Sequence, residues 1–328
     1  MVEQQEIRLQ LENLVKFRSM KKSIILYLGI ICFVSCVSAR NTNKIDNLKT
    51  TEDVVKFAKS IYPDFARNNF GELQIKSTNL IIQELKKCDL YKSWNIKNWQ
   101  KIDINNDGKT DLLFTAYWYS NYSQYAIVES ESGEYKLFNL SQNLEYACKI
   151  VKPIVVNNRN ELMIYNYKTN SEYVLQDKII HFVDTLTYKF NSFIEISKKN
   201  VTYDIEYIKY TSHNNFEIEI DNNENAYYRC LNVFNISNLK GDFYKGESRK
   251  KISPSYFKEM KNILEYINVQ DLSNEYTIDG YDFSTAFLEI KFKDGSIKKI
   301  KDYGYQGTYG LNAVYSKLTK IALETIWQ

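Results

Sequence analysis

Between Lys101 and Phe114 the chain reads KIDINNDGKTDLLF, which crowds Asp103, Asn105, Asp107 and Asp111 around one glycine, Gly108. These side chains fall at relative positions 1, 3, 5 and 9 of a loop, and the carbonyl of Lys109 takes position 7. Gly108, at position 6, permits a sharp bend. Oxygens at alternating positions of a tight turn converge on a hard cation, and calcium takes about six to eight of them. The spacing therefore predicts a calcium loop made by Asp103, Asn105, Asp107, Lys109 and Asp111. Its role would be structural, because no nucleophile or base adjoins it. Phe114 stands where an EF-hand carries its Glu, so this is not an EF-hand. The competing reading is a polar turn held by Asx hydrogen bonds, without metal.

Other chemistry is thin. His181 lies in an apolar, strand-like run and His213 in a turn, and each reads as a structural or surface histidine. No G-x-S-x-G, H-E-x-x-H or P-loop occurs. Gly304, Gly307 and Gly310 in KDYGYQGTYGL have the spacing G-x-x-G-x-x-G, not that of a dinucleotide fingerprint. They read as a turn that lets the last helix dock closely, with Thr308 near its cap. Asp279 and Asp282 flank a Gly-Tyr pair and first suggest a turn. Cys88, Cys148 and Cys230 are an odd set beyond the amino-terminal region, so at most one internal disulfide forms and at least one thiol is left. Without any C-x-x-C, a structural zinc is not expected.

The elements that must position these groups follow from periodicity. Val54, Phe57, Ala58 and Ile61 share a face of a first helix over 52–62, with Thr51 as its cap and Pro63 ending it. From Trp99 to Ser197 short β-rich runs alternate with turn signals, as in a meander of antiparallel strands. The signals are SNYS at 120–123, ESGE at 131–134 and NNRN at 157–160. Further strands follow Lys198–Asn200, with SHNN as a hairpin turn. Ser253-Pro254 opens a second helix in the favoured cap-then-proline order, with Phe257, Met260, Ile263, Leu264 and Ile267 as its apolar stripe. Asp294-Gly295 predicts a hairpin. In its first arm Leu288, Ile290 and Phe292 alternate with Glu289, Lys291 and Lys293. The Lys291, Lys293, Lys299 and Lys301 cluster reads as the solvated face of that hairpin. The final helix is expected over 311–326. The fold class is α+β: an antiparallel β-rich N-terminal domain over 51–198, then an α+β domain over 200–328 whose terminal helix packs on an antiparallel sheet.

The amino terminus carries an address. Met20 opens a basic stretch with Lys21 and Lys22, followed by about a dozen apolar residues to Val34. That run is too short for a membrane span, which needs about 20. The first nineteen residues do not fit a signal and read as lying before the true start. FVSC, Phe33 to Cys36, resembles the lipobox of bacterial lipoproteins. That resemblance implies a signal peptide over 20–36, lipidation of Cys36, a polar tether over 37–50 and a lipid anchor in the membrane. Cleavage after Ala39, giving a secreted protein, is the alternative.

Two further resemblances bear on function. The D-x-N-x-D-G-x-x-D loop, running into DLLFTAYW, resembles the calcium loops that open blades in FG-GAP and VCBS repeats. It covers about 99–140, one blade's worth. Glu275 to Leu318 resembles a bacterial domain of unknown function common in Bacteroidota envelope proteins. The likeness is carried by Asp294, Gly295, Asp302, Tyr303, Gly304, Gly307, Thr308, Gly310 and Leu311. Many members carry a Gly-Cys-Pro loop in the first hairpin, whereas this chain has YTSHNNFEI there, so any role tied to that loop is absent.

Composition bounds the rest. Hydrophobic residues make 44% and charged residues 25%, the balance of a globular protein. From Cys36 onward 38 bases face 37 acids, which gives no electrostatic footprint for nucleic acid. The expectation is an exported, lipid-anchored protein of the bacterial cell envelope with a binding or structural role. Its partner, protein or glycan, is not legible. The alternative is an envelope hydrolase of glycan or peptide using carboxylates such as Asp279 or Asp302.

Overall fold

The structure is a computed structural model that describes residues 43–67, 71–85, 88–130, 133–141, 148–169, 179–213, 215–233, 243–278 and 282–327. The expected signal peptide, Cys36 and Asp279 lie outside the described residues. The chain divides into Met1–Asn47 and Leu48–Gln328. In the first unit the described part is a 3-10 turn, Lys44–Asn47, where the Asn43 side chain accepts the Ile45 N–H at 2.5 Å.

The second unit opens with helix α1, Thr51–Ile61. Its cap is Thr50, one residue before the expected Thr51. Thr50 and Asp53 exchange hydrogen bonds in a capping box, so the carboxylate of Asp53 decides the start. Pro63 ends the helix and begins a 3-10 turn, Pro63–Ala66. Two short helices follow, α2 (Thr78–Glu84) and α3 (Leu90–Ser93).

The expected meander is two sheets. Strands β1 (Trp99–Ile102), β2 (Asp111–Trp118), β3 (Asn121–Glu129) and β4 (Tyr135–Ser141) form the first antiparallel sheet in sequence order. Strands β5 (Ile150–Val156), β6 (Arg159–Thr169), β7 (Ile179–Lys189) and β8 (Ser192–Glu195) form the second in the same way. Leu113, Ala126, Val128 and Leu140 of the first share a core with Val151, Leu162, Ile164 and Leu186 of the second. Two faces of alternating apolar residues thereby cover each other. Gln124 of β3 ties the sheets by pairing its amide with both the N–H and the carbonyl of Val151 in β5, at 2.6 and 2.9 Å.

Three of the hairpin turns use left-handed residues other than glycine: Tyr119-Ser120, Asn157-Asn158 and Phe190-Asn191 each have two positive φ angles. The first turn therefore sits one residue ahead of the SNYS signal.

A third sheet holds seven strands in the order β12-β11-β10-β9-β14-β15-β13. They are β9 (Ile205–Ser212), β10 (Phe216–Asp221), β11 (Asn225–Cys230), β12 (Glu247–Lys251), β13 (Glu275–Tyr276), β14 (Thr285–Phe292) and β15 (Ile297–Tyr303). All neighbours are antiparallel except β13, a two-residue strand that runs parallel to β15 and escapes periodicity by its length. The β14–β15 turn forms as expected, but only Gly295 is left-handed, at φ 88°, and Asp294 is held by its own bonds to Ser296. Helices α4 (Pro254–Tyr266) and α5 (Tyr309–Glu324) cover one face. The α5 stripe of Leu311, Val314, Tyr315, Leu318, Ile321 and Ala322 is buried throughout. Its start precedes the expected Leu311 because Thr308 caps it, accepting the Leu311 N–H at 3.1 Å. The opposite face is wet: Lys299 pairs with Glu289, Lys291 with Glu206 and Lys301 with Glu275, as a solvated hairpin face requires. Among the described residues no helix is long and apolar enough to cross a membrane.

Candidate functional site

The loop between β1 and β2 is assembled by its own side chains. Asp103 accepts the Asp107 and Gly108 N–H groups at 3.1 and 2.9 Å. Asp107 accepts the Lys109 N–H at 2.8 Å, and Asn105 accepts the Asp107 N–H at 3.0 Å. Gly108 supplies a left-handed φ of 84°. Asp111 is the first residue of β2 and is fully buried. Its carboxylate receives three backbone N–H groups, from Ile104, Asn105 and Glu129. Burial nevertheless pushes its pKa up to about 7. The Lys109 ammonium pairs with Glu129 at 2.9 Å, and that bond, with Asp107 and Asp111 nearby, raises its pKa.

The donor set is all oxygen, which is the chemistry a hard cation requires. The arrangement described is the hydrogen-bonded form of the loop. Among the described residues no three His, Cys, Asp or Glu side chains form a ready metal group. Two residues that sequence reasoning passed over fix the loop in place. Asn106, at φ 60°, pairs its side chain with both the N–H and the carbonyl of Asn160 at the start of β6. Asn160 in turn donates to the Asp103 carbonyl at 2.7 Å. Nothing in their local spacing announces a contact spanning 54 positions.

The glycine motif serves close docking. A Cβ on Gly310 would meet the Ile267 side chain at 2.4 Å, and one on Gly307 would meet the Asp302 carboxylate at 2.6 Å. Asp302, fully buried, accepts the Gln306 and Gly307 N–H groups at 2.6 and 3.0 Å. Burial raises its pKa to about 6. It holds the turn between β15 and α5. His213 sits in the β9–β10 turn and accepts the Thr285 N–H at 3.4 Å, and His181 stacks on Tyr165.

A second place was not legible in the sequence. Glu195, the last residue of β8, accepts the Tyr309 and Gly310 N–H groups at 2.6 and 2.9 Å. It thus closes the amino-terminal end of α5, where unpaired N–H groups favour a carboxylate. The Tyr309 hydroxyl donates to the Leu140 carbonyl in β4. Where β4, the start of β5, β8 and α5 meet, a cleft of about 570 Å³ remains. Lys149 enters it, with its ammonium 4.7 Å from the centre of the Tyr309 ring. Burial pulls the pKa of Lys149 down to about 8, against the opposing pull of Glu195.

Cys88 and Cys148 form a disulfide that joins the α2–α3 segment to the approach to β5, and Cys230 is a free thiol. This agrees with the expected limit of one internal bridge.

Residues 210–322 match a domain of unknown function, DUF6438. No curated protein and no solved structure matches the chain.

Proposed function

We propose that the chain is an exported protein of the bacterial cell envelope, held to the membrane by lipid on Cys36, with a binding or structural role. The Cys88–Cys148 disulfide carries this reading. Such bonds persist in oxidising compartments and are rare in the cytosol. The apolar stretch after Lys21-Lys22 and the small residue before Cys36 support the same address. A binding role is favoured over hydrolysis because Asp302, one of the two carboxylates named above for a hydrolase and the one that is described, is fully buried beneath a turn.

The division at 198/200 is taken as a boundary between halves with separate hydrophobic clusters. The buried residues of one cluster lie within 104–193 and those of another within 205–327, with Tyr309 packed against the first and Phe190 against the second. In the first half, Asp103, Asn105, Asp107, Asp111 and the Lys109 carbonyl would hold calcium. The ion would supply charge neutralisation to a loop that pins β1 to β2. The loop's oxygen-only donors and its entry directly into β2 support this role.

Mass spectrometry of the mature amino terminus tests the export reading. The expected first residue is an acylated Cys36. An unmodified Arg40 would replace the anchor with secretion, and an intact Met1 in cells would overturn export altogether.

A further inference from the structure

We infer that the cleft between β4, β8 and the start of α5 binds a small polyhydroxylated acid, with its carboxylate on Lys149 and its hydroxyls on the surrounding amide and hydroxyl groups. The inference builds on the binding role proposed above and is independent of the lipid anchor.

Three observations carry it. Lys149 is the one charged side chain among the described residues lining the cleft. It forms no ion pair with a described residue and rests instead against the face of Tyr309. A desolvated ammonium that holds no ion pair is costly even with the Glu195 carboxylate acting on it from a distance, and a bound anion restores what burial removes. Its depressed pKa is the consequence of burial, which outweighs the opposing pull of Glu195.

The Ser141 hydroxyl is the second observation. Ser141 is 2 % exposed, lines the cleft, and its Oγ has no hydrogen-bond partner. Buried hydroxyls are nearly always paired, so an orphan covered at the edge of the cleft leaves hydrogen-bonding capacity for a ligand oxygen that reaches beneath that edge.

The third is the character of the walls. Asn139, Ser192, Gln306 and Ser316 present amides and hydroxyls from four different segments, while Phe193 and Tyr309 present rings. A few convergent polar groups beside apolar faces make a site for a compact polar molecule, and about 570 Å³ suits one of that size. The α5 amino terminus is not the anion acceptor, since Glu195 already occupies it.

The test titrates the full chain, purified in mild detergent, with glucuronate, glucose, acetate and inorganic phosphate by calorimetry. Glucuronate is expected to bind saturably, with glucose and acetate each at least tenfold weaker. Lys149→Gln should lower glucuronate affinity by roughly tenfold or more, the scale of a lost charged hydrogen bond. Ser141→Ala should weaken it by a few-fold while leaving the melting temperature unchanged or higher, because the hydroxyl has no partner to lose. Glucuronate heats absent from a cooperatively melting chain would overturn the inference. So would equal affinity in Lys149→Gln, or phosphate binding more tightly than glucuronate. None of these outcomes bears on the mass of the amino terminus, so the two readings fail separately.

Discussion

Glu195 accepts the backbone N–H of Tyr309 at 2.6 Å, across 114 positions of sequence. One carboxylate therefore joins the last strand of the second sheet to the first turn of the terminal helix. Glu195→Ala should cost about 2 kcal/mol, since it leaves two helix N–H groups unpaired. Glu195→Gln keeps one acceptor and should cost less. Urea unfolding measures both, and equal losses would deny the capping role.

Gly310 is required by contact and Gly295 by conformation. Gly310→Ala should cost about 1–3 kcal/mol, because the new methyl meets Ile267. Gly295 has open space but a φ of 88°, so Gly295→Ala should cost about 1 kcal/mol. Thermal melts that reverse this order would remove the close approach of α5 to α4.

Asp302 gives a pH dependence. Its pKa is raised by burial from 3.8 in the unfolded chain to about 6. The folded state therefore binds the proton more tightly. The resulting stability is fully present below about pH 4 and lost as pH rises through about 6, on the order of 3 kcal/mol in all. Asp302→Asn should flatten that slope between pH 4 and 6. A slope unchanged in the variant would mean that the carboxylate does not titrate in the fold.

The disulfide closes a separation of 60 residues. In the chain-entropy account, a double Cys88→Ser, Cys148→Ser variant should lose about 4 kcal/mol. The loss should match that on reducing the native chain. No change in the denaturation midpoint on reduction would show that the bridge does not form in the purified protein.

The β1–β2 loop separates its two roles by substitution. Asp103→Ala should destabilise by about 1–2 kcal/mol with or without calcium, since two N–H groups lose their acceptor. Added calcium should raise the melting temperature of the native chain and leave Asp107→Ala unmoved. Equal melting of the native chain with millimolar calcium and with chelator would reduce the loop to its hydrogen-bonded turn.

Local signals in the amino-acid sequence determined the α+β class, the Ser253-Pro254 helix start, the alternation in β14 and the glycine-rich approach to α5. Each rests on neighbours within a turn or a strand, so period and cap are enough. The start of α1 moved to Thr50 because a capping box depends on which hydroxyl reaches Asp53, and two adjacent threonines offer the same pattern. The tertiary structure alone decided that the meander splits into two sheets, that Asn106 clasps Asn160, and that Lys149, Ser141 and Tyr309 share a cleft. Asn106 and Asn160 stand far apart in the chain, as Tyr309 does from Ser141 and Lys149, and none of these contacts carries a periodic signal. What brings them together is the burial of sheet and helix faces against one another, which acts on whole surfaces and leaves no mark at any single position.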